Sequence, residues 1–411
     1  MSADRFPRAD FAWTKTPAVR AVMNALSARG QARFVGGCVR DSLLGRPPAP
    51  LAGGKDVGTT DIDVATILTP DETTAALQAA GLAAHPTGVE HGTVTAVSDG
   101  LPVEVTTLRA DIDTDGRHAT VAFTTDWDED WRRRDFRINA LYLAPDGTLY
   151  DPAGGQADLA SARVRFIGDA GTRIKEDALR ILRFFRFTAR YADAPDSAGL
   201  AACAEGAALM DGLSRERVWS EVSRLFSAPR APAVLLAAQE AGVLARVLPG
   251  GAHLDDFARL HAASHGQVAP ALGVEALWPG ADLADIRAAF KPSGADLARI
   301  DAAREAEAQL EDEPGLPLLR LLYRFGRKAV LDACLLATAR EDDPVYLRRH
   351  AEAAGMTVPV FPVQGRDLIA RGMTPGPKLG ETLKEAEAAW LAAGLPTDEE
   401  TIGRIVADAI G

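Results

Sequence analysis

Apolar residues recur at three- and four-residue steps through "AVRAVMNALSARG", which predicts a helix closed by Gly30. The apolar run "ARFVGG" behind it predicts a strand ending on two glycines, and "DIDVATIL" a second strand. "TPDETTAALQAAG" reads as a helix opened by Thr69 or Asp71 and stopped by Gly81. In "HGTVTAVSDGLPVEVTTLR" two β-branched runs flank the turn "SDG", a hairpin pattern. The first 150 or so residues are thus mixed α and β. From about Asp158 the alternation fades and Ala, Leu and Arg dominate, as in "EDALRILRFFRFTARYA" and "APAVLLAAQEAGVLARVL", so the remainder reads as helical. Clusters such as "LPGGAHLDD", "EDEPGLP" and "GMTPGPKLG" cut it into smaller units, and no repeat of twenty to fifty residues stands out.

Length changes this picture little: 411 residues with 47% apolar content fit two to four domains. Charge changes it more. A net charge of -12 argues against a general nucleic-acid binder unless basic residues are concentrated locally. Cys38, Cys203 and Cys334 form no CxxC pair and suit a reducing compartment. With no basic segment and apolar core at the N-terminus, and no run of eighteen apolar residues, the expectation is a cytoplasmic soluble protein.

Candidate chemistry starts at "RFVGGCVRD". At Gly36 and Gly37 the missing side chains let a ligand approach the backbone, a helix begins at once, and Arg40 sits one turn in, within reach of phosphate oxygens. Taken alone, the same residues also fit a plain glycine turn before a surface arginine. Asp61 and Asp63 flank Ile62, so strand geometry points both carboxylates to one face, where a divalent cation would relieve their repulsion. Hard oxygen ligands in an incomplete cage suit Mg²⁺, and a solvated strand end is the competing reading. Glu104, on another strand with the same alternation, is a candidate third carboxylate. Three carboxylates beside a phosphate-binding turn could hold the two-metal clamp of in-line phosphoryl transfer, with ions about 3.5–4 Å apart.

In order along the chain, "GGCVRD" with "DID", "HGTVTAV", "VEVTTLR", "RRDFRINALY", "DPAGG", "EDALRILRFFRF", "GLSRERVWSEVSRLF" and "GRDLIARGMTPGPKLGETLKEAEAAW" resemble the class II tRNA nucleotidyltransferases. That family includes CCA-adding enzymes and bacterial poly(A) polymerases, within the polymerase-β-like superfamily. Residues 250 to 360 carry no matching motif. The resemblance implies an α+β fold: a mixed-sheet nucleotidyltransferase head over 1–155, then an all-α neck (156–205), body (206–345) and tail (346–411) that binds tRNA. It implies metal binding by Asp61 and Asp63, with Glu104 beside them, and triphosphate binding by Gly36, Gly37 and Arg40. Arg134 and Asp135 would read the ribose 2′-hydroxyl, a carboxylate accepting its proton and a guanidinium donating to its oxygen. Asn139 would position the loop.

Arg180, Arg183 and Arg186 continue a three-residue step from Asp177, lining one helical face while Leu179, Leu182 and Phe185 line another. Cytosine and adenine share an exocyclic amine beside a ring-nitrogen acceptor; uracil and guanine reverse it. Asp177 can accept from the amine while Arg180 donates to the ring nitrogen, and the resemblance assigns the two residues that role. Arg183 and Arg186 would bind triphosphate or steady Arg180, and Glu176 would orient the arginines. Between Arg163 and Arg190 eight basic residues face only Asp169, Glu176 and Asp177, so an acidic chain can present one positive cleft.

Other stretches carry less. The segment "DIDTDGRHATVAFTTDWDEDW" corresponds to a mobile loop in the family, with Asp115-Gly116-Arg117 as its tip and "DWDED" as a solvated helix entry. "APLAGGKDVGTT", longer than the family's usual connection, is a surface excursion that leaves Lys55 and Asp56 without an assigned role. "GPKLG" either offers Lys378 and backbone amides to tRNA phosphates or is a helix-start turn. No histidine precedes an aspartate and no HExxH occurs, so no second hydrolytic site is expected. The implied activity is addition of CCA to tRNA 3′ ends from CTP and ATP with release of pyrophosphate, using Mg²⁺ and neither DNA nor membrane. Poly(A) polymerase, an enzyme adding only the Cs or only the A, and a non-catalytic tRNA-binding protein are the alternatives.

Overall fold

The computed structural model describes residues 6, 8–48, 61–88, 92–114, 119–248, 250–312 and 317–411. Lys55, Asp56 and the Asp115-Gly116-Arg117 tip lie outside the described residues. The chain folds into two compact units, Met1–Glu221 with Ala228–Val247, and Val222–Ser227 with Leu248–Gly411.

Among its described residues the first unit holds nine strands: β1 (Ala32–Val35), β2 (Asp63–Thr66), β3 (Ala83–Gly88), β4 (Thr93–Ser98), β5 (Leu101–Thr107), β6 (Arg109–Thr114), β7 (Ala119–Phe123), β8 (Tyr142–Leu143) and β9 (Leu149–Tyr150). Seven form one mixed sheet in the order β3-β4-β5-β2-β1-β8-β9, while β6 and β7 pair separately. The predicted β4–β5 hairpin forms, turning through Asp99 and Gly100, both at positive φ as a tight two-residue turn requires. The stretch expected as a loop after Leu108 is instead built largely from the antiparallel pair β6–β7.

Helices α1 (Pro17–Ser27), α2 (Gly37–Leu43) and α3 (Pro70–Ala79) accompany these strands. α1 and α3 pack on β4 and β5, burying Val19, Val22, Leu26 and Leu77. Thr69 caps α3 in a reciprocal capping box with Glu72, which settles the choice of start residue. Gly30 does not cap α1; Ala28 does. Its absent side chain instead admits Leu68, whose Cδ2 would lie 2.8 Å from a Cβ there.

Then come α4 (Trp127–Arg132) and α5 (Gly155–Ala160), the latter held by Asp151, which accepts from the Gly155 and Gln156 amides at 2.6 and 2.9 Å. Next are α6 (Ala170–Glu176), α7 (Leu179–Tyr191), α8 (Ser197–Gly206), α9 (Arg215–Phe226) and α10 (Ala231–Glu240). The apolar stripe of α7 buries Leu179, Leu182 and Phe185. Phe136, bridged to Phe166, stacks against Phe166 and Phe187 at 4.9 and 5.3 Å, joining the "RRDF" segment to α7.

The second unit is helical among its described residues, with a core of Leu310, Leu321, Val330, Cys334 and Ala337 and a smaller cluster around Leu368 and Val406. Lys378 is exposed in the first turn of the helix Pro377–Ala392. All three cysteines are free and buried, and among the described residues no helix is long and apolar enough to cross a membrane.

Candidate active site

β1 runs into Gly36, whose φ of 71° is left-handed backbone that favours glycine, and α2 starts at the next residue. This turn opens onto a cleft of about 440 Å³ lined by Gly36, Gly37, Arg40, Asp63, Arg134, Asp135, Asp177, Arg180 and Arg183. Nine of the twelve residues singled out from the sequence therefore meet in one place. Asp61, Glu104 and Arg186 do not line it.

The carboxylates are arranged differently from the simple strand reading. β2 begins at Asp63, so Asp61 lies ahead of the strand and is exposed. Glu104 is in register with Asp63 on the adjacent parallel strand, as the alternation required for a shared face. Burial, followed by the charges of Glu104 and Asp61, pushes the Asp63 carboxyl up to about 7, while Arg134 and Arg40 pull it down. Among the described residues no three carboxylate, histidine or cysteine side chains form a ready metal cage. Hard oxygen donors, an incomplete shell and a carboxyl held near neutral by its neighbours fit a divalent cation that also takes water and phosphate oxygens.

Arg40 is 6% exposed and already engaged. It donates to Asp41 at 2.9 Å, to Asn139 Oδ1 at 2.6 Å and to the Tyr191 hydroxyl at 2.6 Å, so its guanidinium is pinned where it lines the cleft. Asn139 also donates to Asp135 Oδ1 at 2.9 Å and links the two, a positioning role. Burial works against ionising Asp135, yet Arg183 and Asn139 hold its carboxyl below the ordinary range. Arg183 Nε reaches Asp135 Oδ2 at 2.7 Å.

Asp177 and Arg180, the residues expected to read the base, show the largest departure. Asp177 has extended backbone (φ -151°, ψ 104°) and separates α6 from α7, so it does not share a helix with Arg180. Arg180 donates to Glu176 at 2.5 Å, to the Arg173 carbonyl at 2.9 Å and to the Arg133 carbonyl at 3.2 Å. Glu176 thus orients this arginine, as expected. Asp177 accepts instead from the Leu179 amide at 3.1 Å and from Arg217 at 2.7 Å. Arg186 pairs with Glu221 at 2.5 Å.

Three cleft-facing or supporting groups were missed. Arg217 and Glu221 sit in the quoted "GLSRERVWSEVSRLF", four residues apart on one face of α9, and that spacing was the available signal. Asp130, read as part of a solvated helix entry, is buried beneath Arg133 and Arg134. The "DWDED" run offered no sign of this, because the burial is tertiary.

A phosphate-approach turn, crowded carboxylates and an arginine-rich cleft define a nucleotidyl-transferring site. Comparison with known proteins agrees. Residues 32–165 match the poly A polymerase head domain, and residues 196–254 match the probable RNA and SrmB-binding site of polymerase A. Mouse mitochondrial CCA tRNA nucleotidyltransferase 1 is 33% identical across 90% of this chain and 85% of its own length. The CCA-adding enzyme of Limosilactobacillus fermentum is 30% identical across 93% and 94%. The crystal structure of the Bacillus stearothermophilus CCA-adding enzyme in complex with CTP is similar over 96% of this chain and 98% of that one, at 27% identity and a TM-score of 0.75. The chain belongs to the class II tRNA nucleotidyltransferases, the family of the CCA-adding enzymes.

Proposed function

We propose that this chain adds CCA to tRNA 3′ ends from CTP and ATP, without a nucleic-acid template and with release of pyrophosphate. The observation that carries the reading is one cleft whose walls bring together Asp63, Arg134 with Asp135, and Asp177 with Arg180. Relatives named for CCA addition, matched along nearly their whole length, support it.

The 3′-oxygen of the RNA bonds to the nucleotide α-phosphorus as the bond to the β-phosphate oxygen breaks. Asp63, with Asp61 and Glu104 near it, would hold Mg²⁺, which supplies Lewis-acid stabilisation of the attacking and leaving oxygens. The amide edge at Gly36 and Gly37 receives phosphate, while Arg40, fixed by Asp41, Asn139 and Tyr191, supplies a stationary positive charge behind it. Arg134 and Asp135 face the ribose 2′-hydroxyl. Asp177 accepts from the amine of C or A while Arg180 donates to the ring nitrogen, and U or G would set donor against donor. Arg183 and Arg186 brace this wall through Asp135 and Glu221. We assign 1–155 to the head, 156–205 to the neck, 206–345 to the body and 346–411 to a tRNA-binding tail, and the cytoplasm as the compartment, which free buried thiols support.

The test is incorporation by purified protein with Mg²⁺ on tRNAs ending before CCA, after C and after CC, offering each nucleotide singly and CTP with ATP. Stepwise C, C, A and arrest supports the proposal. Unlimited A addition identifies a poly(A) polymerase, a stop at CC or action only on the CC-ended tRNA a partial enzyme, and tRNA binding without transfer a retired scaffold.

A further inference from the structure

Asp130 is 1% exposed and lies outside the cleft, yet it holds two residues that line it. Its Oδ1 accepts from Arg133 Nε at 3.0 Å and Nη2 at 2.5 Å. Its Oδ2 accepts from Arg134 Nε at 3.2 Å and Nη2 at 2.9 Å, and from the Tyr142 hydroxyl at 2.8 Å. Tyr142 in turn accepts from Arg134 Nε at 3.0 Å, closing a small ring of bonds. Among the described residues Arg134 Nη1 has no protein acceptor, so this arginine is fixed along one edge and open on another.

The same carboxylate reaches further. Arg133, clamped by Asp130 and by the Arg109 carbonyl at 2.9 Å, offers its own carbonyl to Arg180 Nη2 at 3.2 Å. One buried anion therefore restrains two adjacent guanidiniums directly and a third through one backbone group. Two neighbouring arginines of like charge would splay without it, and a purely structural carboxylate would have no need to end on side chains that line a ligand cleft.

We propose that Asp130 is a positioning residue that sets sugar selection through Arg134 and base selection through the Arg133 carbonyl and Arg180. This rests on the reading of Arg134 as the ribose contact and Arg180 as the base contact. Burial and charge pairing make Asp130 the fixed point from which both are aimed.

The test compares kcat/KM for CTP, dCTP and UTP on a tRNA lacking CCA, for wild type, Asp130→Asn, Tyr142→Phe and Arg134→Lys. Asp130→Asn should lower the CTP-over-dCTP preference about tenfold and the CTP-over-UTP preference in the same direction, the scale of losing a charge-assisted hydrogen bond. Tyr142→Phe, which removes the hydroxyl's bonds to Arg134 Nε and to Asp130 Oδ2 and leaves both Arg133 bonds in place, should lower the sugar preference roughly threefold and leave the base preference unchanged. Wild-type ratios in both folded variants, with turnover alone reduced, would make Asp130 merely structural and overturn the proposal. Should Asp130→Asn fail to fold, unchanged ratios in Tyr142→Phe decide against it equally. An unchanged dCTP ratio in Arg134→Lys would overturn the ribose assignment itself, and no transfer by wild type would overturn the functional reading beneath both.

Discussion

Arginines meet buried carboxylates in both units, and the two clusters differ in what is left over. In the helical second unit Glu275 takes Arg304 at 2.5 Å and Arg340 at 2.6 Å, and Arg340 reaches Glu307 at 2.8 Å. Two guanidiniums answer two carboxylates, and both carboxylates are buried. In the first unit Arg40, Arg133, Arg134, Arg180, Arg183 and Arg217 line the cleft with Asp63, Asp135 and Asp177, while Asp41, Asp130 and Glu176 hold four of these arginines from behind its walls. With those carboxylates behind the walls, the cleft face itself carries more guanidinium than carboxylate, a surface that suits a polyphosphate. Arginine content alone does not separate a binding surface from a brace; the balance of charge around it does.

The largest effect expected from that difference is at Asp63. Asp63→Ala should reduce nucleotide transfer by more than about a thousandfold, since cation stabilisation of the transferring group contributes several kcal/mol. Its tRNA affinity should stay close to wild type, read by filter binding. Wild-type turnover would remove the carboxylate centre from the mechanism.

Next comes the Glu275 cluster. Glu275→Gln should destabilise the protein by about 3 kcal/mol, as buried pairs do on losing one partner, while kcat/KM of the folded fraction changes little. A selective loss of activity without loss of stability would erase the distinction between brace and site.

The pH response of Asp63 sharpens the comparison further. Its carboxyl is raised from 3.8 to about 7, so between those values the native chain binds more protons than the unfolded one. Stability of the cation-free protein should therefore fall on the order of 4 kcal/mol as pH rises through that window and level off above 7. Asp63→Asn should flatten that slope in chelator-treated thermal melts, and in wild type added divalent cation should bind more weakly as pH falls below 7. A wild-type slope in Asp63→Asn would place the perturbed group elsewhere.

The smallest effect belongs to Arg217, half-exposed against Asp177. Arg217→Ala should raise the KM for CTP roughly fivefold by freeing the Asp177 carboxylate to rotate, in line with a modest partly screened pair. An unchanged KM with altered tRNA affinity would move Arg217 from the nucleotide to the RNA.

Much of the fold was legible because its signals are local. Thr69 and Glu72 cap their own helix, Asp99-Gly100 turns its own hairpin, and the apolar step of Leu179, Leu182 and Phe185 marks a buried stripe without reference to any distant residue. Strand alternation likewise anticipated that Glu104 would share a face with Asp63, because period-two geometry survives any packing. Where a rule was applied one step too far, the structure differs. Three-residue spacing suggested one helix through Asp177 and Arg180, but Asp177 takes extended backbone and is held by Arg217, forty positions on.

The sequence by itself determined the residue types, their order and the periodicities that make a mixed head and a helical remainder, since these depend on neighbours within a turn or a strand. Only the tertiary structure decided the states of the charged groups. It buried Asp130 under Arg133 and Arg134, tied Arg40 to Asn139 and Tyr191 from the far side of the first unit's sequence, and crowded Asp63 until its carboxyl rose to about 7. Desolvation and Coulomb interaction depend on distance in space, and residues ninety-nine and more positions apart acquire that distance only when the chain has folded.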